Sequence, residues 1–227
     1  MNHRHGDFRF PRISRRGMLA RLGALGLALA GPGSALSAGA AQASTEGARD
    51  FIEHLGNQVA ESAQLDRAAL QRLISGALDV DAIGRFALGP FLRQSNPQKV
   101  QEYLGVFRNY VLMAYPELLA KLNIRRLRVI AVNGADAETS FVLTEIGYGG
   151  SGDGNGGDGG GDTAEVGWNV REVAAGDYKV QDVQVNGHSL RAFQRAKFEK
   201  ILRDRWIDGL IKIMQGWVRN GREEPYL

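Results

Sequence analysis

The chain of 227 residues contains no cysteine. Disulfide staples, thiolate metal ligands and cysteine nucleophiles are therefore excluded. Histidine is scarce, with four in all. His3 and His5 sit at the extreme N-terminus, and His54 and His188 lie too far apart to show metal-ligand spacing. No Gly-x-Ser-x-Gly elbow is present, and no Gly-Lys-Ser/Thr follows a glycine-rich run, so neither an esterase nucleophile nor a phosphate loop is signalled. Long apolar runs are also missing. The most apolar stretch, Met18 to Ala30, is too short to cross a bilayer on its own.

The chain has 28 Lys and Arg against 25 Asp and Glu. That excess of positive charge belongs to the first 43 residues, which hold Arg4, Arg9, Arg12, Arg15, Arg16 and Arg21 against Asp7 alone. The remainder carries 22 basic and 24 acidic residues, so no nucleic-acid partner is expected. Residues 1–43 read as a cleaved signal peptide. Arg12, Arg15 and Arg16 form a cationic start, Met18 to Ala30 the apolar segment, and Ala41-Gln42-Ala43 a small-x-small cleavage site. The order Ser14-Arg15-Arg16-Gly17-Met18-Leu19 resembles a twin-arginine signal, with Met18 where Phe is usual and Ala20 where Lys is usual. The general secretory route stays open beside it. Residues 44–227 are then the mature, exported domain.

Within that domain helical spacing comes first. Phe51, Ile52, Leu55 and Val59 share one face. Asp66 caps a second helix with Leu70, Leu73, Ile74 and Ala77 inward. Asp79 starts a third, with Val80, Ile83 and Phe86 inward, and Leu88-Gly89-Pro90 ends it. Asn96 or Ser95 caps a long helix with Pro97 in its first turn, running to about Leu122 across Pro116. Strands follow at Ile124–Val132, Glu138–Ile146, Ala164–Val173 and Asp177–Val185. Turns are expected at Asn133-Gly134 and Ala175-Gly176-Asp177. Helical spacing returns with Trp206, Ile207, Leu210, Ile211, Met214, Trp217 and Val218. Helices, then an antiparallel meander, then helices make the class α+β. Gly147 to Asp162 is a glycine-rich, flexible hairpin loop, without the apolar position per repeat that a calcium-binding array needs.

Little of this pattern looks reactive. Ser189, His188 and Asp182 could be named as a triad, but adjacent strand residues point to opposite faces. Asp79 and Asp81 do not share a helix face, and Asp79 reads as a cap. Asp182, among valines, reads as half-buried and hydrogen-bonded. The stripe Phe86, Phe91, Tyr103, Phe107, Tyr110 and Tyr115 suits either core packing or the wall of an apolar pocket, and composition does not choose between them.

Val180 to Phe198 is the most informative stretch. Val180, Val183 and Val185 favour a strand, Asn186-Gly187 bends or bulges it, and Arg195 lies where a helical charge pattern begins. The order Asp182-Val183-x-Val185-x-Gly187-x-Ser189-Leu190, followed by Arg195 and Phe198, resembles the MlaC-like periplasmic phospholipid-binding proteins, also called the toluene-tolerance auxiliary family. Asp79-Val80-x-x-Ile83 with Leu88-Gly89, the long-helix residues Gln98, Phe107, Tyr110, Tyr115 and Leu118-Leu119, and Trp168 in the third strand extend the resemblance over roughly residues 50 to 218. The Gly/Asp insertion, the leader and Phe91-Leu92 depart from it. The resemblance implies an NTF2-like α+β fold. A four-stranded antiparallel sheet would pack against N-terminal and C-terminal helices around an apolar lipid cavity.

The resemblance further implies a periplasmic shuttle that moves phospholipid between an outer-membrane lipoprotein complex and an inner-membrane ABC transporter, maintaining outer-membrane lipid asymmetry. It implies no cofactor, no metal and no catalytic residue. Phe86, Leu88, Phe107, Tyr110, Val111, Tyr115, Trp168 and Val183 are the lining it suggests. Arg85, Arg93, Arg191 and Arg195 would face an anionic head group or a partner. A carrier for another lipid, such as a hopanoid, and less readily an NTF2-like enzyme, are the alternatives.

Overall fold

The computed structural model describes residues 35–61, 66–122, 124–136, 138–148 and 162–223. Most of the signal segment, the interior of the glycine-rich loop and the last four residues lie outside that set. Among the described residues six helices and five strands follow in order: α1 (Ala35–Ala60), α2 (Arg67–Ala77), α3 (Val80–Leu88), α4 (Phe91–Gln94), α5 (Pro97–Leu122), β1 (Ile124–Gly134), β2 (Thr139–Tyr148), β3 (Asp162–Ala174), β4 (Asp177–Val185), β5 (His188–Ser189) and α6 (Leu190–Asn220). The chain is α+β, as its pattern of periods predicts.

Local chemistry sets many of the boundaries. The Asp66 carboxylate accepts the Ala69 N–H at 2.7 Å and starts α2. Asp79 starts α3 in the same way, accepting from the Ala82 N–H at 3.0 Å. Gly89, at φ 55°, ends it. The Asn96 side chain accepts the Gln98 N–H at 2.8 Å ahead of α5, which continues past Pro116. Ser189 caps α6 by accepting from the Ala192 N–H, and left-handed Gly221 closes it.

The strands form one antiparallel meander in the order β1-β2-β3-β4-β5. Five strands stand where four are expected. Asn186 at φ 51° and Gly187 at φ 80° make a two-residue turn that returns the chain for the short β5, so this dipeptide closes a hairpin. The expected Asn133-Gly134 turn is displaced. β1 runs on through Gly134, and the reversal follows it, where Asp136 Oδ1 accepts from the Glu138 and Thr139 N–H groups. The inward face of β2 alternates cleanly, with Ser140, Val142, Thr144 and Ile146 buried. α1 lies close on this sheet: a Cβ on Gly56 would fall 2.8 Å from Leu127 Cβ.

Two hydrophobic clusters result. The sheet cluster joins Ile52, Leu55 and Val59 of α1 to Val142, Ile146, Val166, Val170 and Val180. The helical cluster joins α3, α5 and α6 around Tyr103, Phe107, Tyr110 and Phe198. Leu78 and Leu119 pack against both. A parallel bridge between Leu78 and Val180, with the Asp79 N–H donating to Val180 O at 2.9 Å, ties the helical layer to β4.

α6 departs from its expected pattern. Trp206 has φ 55° and ψ −171°, so the element is two helical stretches, 190–205 and 207–220, joined at a kink. Its indole leaves the apolar face, is 56% exposed and packs edge-on against Phe91 at 5.8 Å. A strict 3.6-residue period assigns Trp206 to the core, and the broken backbone is what removes it.

Candidate functional site

The two clusters meet along a seam where β4 and the start of α6 approach α3 and α5. Asp182 of β4 is only 3% exposed. Its Oδ1 accepts the Arg191 N–H at 3.2 Å, and its Oδ2 lies 3.5 Å from Arg191 Nε. Burial of a carboxylate is tolerable here because both its oxygens face Arg191. The Arg191 guanidinium lies 4.5 Å from the centre of the Phe86 ring, and that of Arg195 lies 5.5 Å from it. Burial, with the Asp182 charge nearby, pushes the Tyr115 phenol up to about 12. A phenol held neutral beside a carboxylate engaged by arginine does no acid–base work near neutral pH.

Deeper in the helical cluster the packing is closed. Tyr103 and Phe107 stack at 5.6 Å, and both meet Phe198 edge-on at 6.4 and 6.1 Å. Tyr103 satisfies its hydroxyl on Gly84 O at 3.0 Å. The Tyr110 hydroxyl lies 2.9 Å from Glu223 Oε2 and 3.3 Å from Gln194 Oε1. Burial raises the pKa of Tyr110 also, and burial lowers that of Lys197, whose ammonium pairs with Glu223.

Two of the surface cavities among the described residues bear on these side chains. One, of about 520 Å³, lies between α1 and α2, with Phe51, Leu55, Leu73 and Ala77 as apolar walls and His54 and Arg72 at its edges. The other, of about 550 Å³, is framed by α3, α4 and α6 and lined by Arg85, Phe86, Gly89, Pro90, Arg93, Gln94 and Arg195. Both fall in the size range of small-molecule sites.

The residues singled out from sequence therefore divide. Leu88, Phe107, Tyr110 and Val111 belong to the closed helical core. Tyr115 sits at the seam, and Trp168 and Val183 pack against the sheet cluster, with Trp168 Nε1 donating to Thr144 Oγ1 at 2.9 Å. Phe86 does not face the core as its period suggests. It is half-buried beneath two guanidiniums from α6, and it lines the second cavity. Arg85, Arg93 and Arg195 converge on that cavity, whereas Arg191 turns to Asp182. The Ser189 hydroxyl caps α6 and His188 is exposed, so the nominal triad is not assembled. Two features were missed from sequence: the Asp182–Arg191 pair and the apolar groove between α1 and α2. Asp182 among valines was the available signal for the first.

A family model described as "MlaC protein" matches residues 46–216. The chain belongs to the MlaC family. This MlaC chain also shares its fold with the phospholipid-binding protein from Ralstonia solanacearum, solved in complex with a phospholipid. The TM-score is 0.57 at 15% identity, covering 78% of this chain and 98% of that one. No curated protein matches it. The match begins two residues before Ala48, which is the first buried residue among the described side chains of α1.

Proposed function

We propose that this chain is a periplasmic phospholipid carrier. As a member of the MlaC family it is a binding protein and not an enzyme. The observation that carries the reading is that family membership, joined to a fold shared with a protein that holds a phospholipid. The two-cluster interior adds a physical reason. Acyl chains need apolar area and few polar partners, and each methylene taken from water contributes about 0.8 kcal/mol. The seam bridged by Leu78 and Leu119 is where two packed bodies can part to admit them. Tails lodge between sheet and helical cluster, and the head group stays at the rim. The carrier then moves lipid between an outer-membrane lipoprotein complex and an inner-membrane ABC transporter, which supports outer-membrane asymmetry. Export through the N-terminal segment places it in that compartment.

Native mass spectrometry of the chain purified from a bacterial host tests the binding step. Co-purified two-chain phospholipid is expected. An apo protein that takes up no lipid from vesicles would sink the proposal. Tyr110 and Val111 are poor probes, because both are nearly fully buried and a charge there breaks the core. Leu119→Glu is better placed, since Leu119 is half-buried at the seam. It should lose bound lipid while the helical cluster keeps its unfolding transition.

A further inference from the structure

We infer that the cavity framed by α3, α4 and α6 is a phosphate-binding site that reads the head group of an anionic phospholipid. This rests on the carrier reading above for the source of the phosphate, and on the cavity itself for its chemistry. Three arginines, Arg85, Arg93 and Arg195, line a space of about 550 Å³, and no carboxylate lines it among the described residues. Several surface cations elsewhere are neutralised. Arg108 pairs with Asp81, Arg128 with Glu145, Arg171 with Glu138, and Lys99 with Asp208 and Glu102. Among the described residues, none of the three cavity arginines has an ion-pair partner. Converging unpaired positive charges repel one another, and a phosphate relieves that repulsion through short charge-assisted hydrogen bonds.

The rest of the wall suits the same ligand. Phe86 O, Gly89 O and Pro90 O already accept the N–H groups of Gly89, Leu92 and Arg93, so these carbonyls are committed within the chain. Gln94 brings an amide donor to the wall. Arg195 is held in place from two sides. Its guanidinium lies over Phe86, and the bare Cα of Gly89 lets Nε approach to where a Cβ would stand 2.7 Å away. The site also adjoins the seam: the Phe86 ring carries Arg191 on its way to Asp182. A head group seated here leaves its tails near the junction of the two clusters.

The test uses wild type, the triple variant Arg85→Gln/Arg93→Gln/Arg195→Gln, and Arg128→Gln as a charge control on the sheet. Each is titrated with sn-glycerol 3-phosphate by calorimetry or NMR, and each is mixed with vesicles of phosphatidylglycerol or of phosphatidylcholine. The expected result is a loss of at least tenfold in glycerol phosphate affinity and in phosphatidylglycerol uptake for the triple variant alone. Phosphatidylcholine uptake should change less, and wild-type affinity should weaken as salt rises. If the triple variant takes up phosphatidylglycerol as wild type does, the head-group assignment is overturned. If neither wild type nor any variant takes up any lipid, the carrier reading fails. The site then stands as one for soluble phosphate esters only if glycerol phosphate still binds wild type and not the triple variant. If glycerol phosphate binds neither protein, the site is overturned as well.

Discussion

Gly89 carries two demands that no other residue meets. Its backbone sits at φ 55° and ψ −131°, a region essentially reserved for glycine, and its missing Cβ gives Arg195 its place. Gly89→Ala should lower the unfolding free energy by roughly 1–3 kcal/mol, measured by chemical denaturation. It should also weaken glycerol phosphate binding, because the guanidinium must move. Asp182 is the second telling residue. Asp182→Ala strands Arg191 and removes the acceptor of its N–H, so a loss of about 1–3 kcal/mol is expected. Asp182→Asn, which keeps an acceptor, should lose less. Equal loss in the two variants would show that the carboxylate charge, not the acceptor, matters.

The buried phenols belong to the same scale. Tyr103, Tyr110 and Tyr115 all have pKa values raised chiefly by burial, that of Tyr115 to about 12 from the usual 10.0. The folded state thus holds phenolic protons that the unfolded chain releases above pH 10. Stability contributed by the neutral phenols is intact below about pH 10 and is lost as pH rises toward 12 and beyond. For Tyr115 alone the full loss is on the order of 3 kcal/mol. Denaturant midpoints measured from pH 9 upward should fall in this window, and Tyr115→Phe should fall less. A flat profile would mean that the phenol reaches solvent in the native state.

At the scale of elements, Asp79 joins a helix to a strand. One oxygen caps α3, and the other accepts Gln181 Nε2 of β4 at 3.0 Å. Asp79→Ala should therefore cost about 1–2 kcal/mol, at the upper end of a simple cap, read from the denaturation midpoint. Gln181→Ala, which spares the cap, should cost less. The same residue shows what was legible beforehand. Caps, helix faces and strand alternation are local, so Asp66, Asp79, Asn96 and the four long strands could be read from neighbours in sequence. What escaped reading depends on distant partners. Phe86 falls on the inward side of its helical period, yet guanidiniums more than a hundred residues away in α6 hold it at the cavity. Trp206 has a core spacing that a single backbone break cancels. β5 exists because two left-handed residues reverse the chain fully, where the sequence pattern suggested a bend or bulge within the strand. The arginines were legible as a group. That Arg191 would part from the other three to neutralise Asp182 was not, since that pairing is made by the fold.

For the whole molecule, the consequence of two clusters is a division of stability. Each cluster is closely packed within itself, while Leu78, Leu119, the Leu78–Val180 bridge and the Asp182–Arg191 pair span the junction. A protein opens locally where buried apolar contacts are fewest. In the lipid-free state, native-state hydrogen exchange should show amides flanking the seam, at residues 77–80 and 180–191, opening at lower free energy than those of mid-α5 or β2. Lipid bound between the clusters adds apolar contact across that junction. It should slow exchange there most, and raise the thermal midpoint with lipid concentration as a ligand specific for the native state does. Slowing confined to the groove between α1 and α2 would move the tails to that cavity instead. Uniform slowing would mean that the two clusters open as one body, and that lipid enters by a route other than their separation.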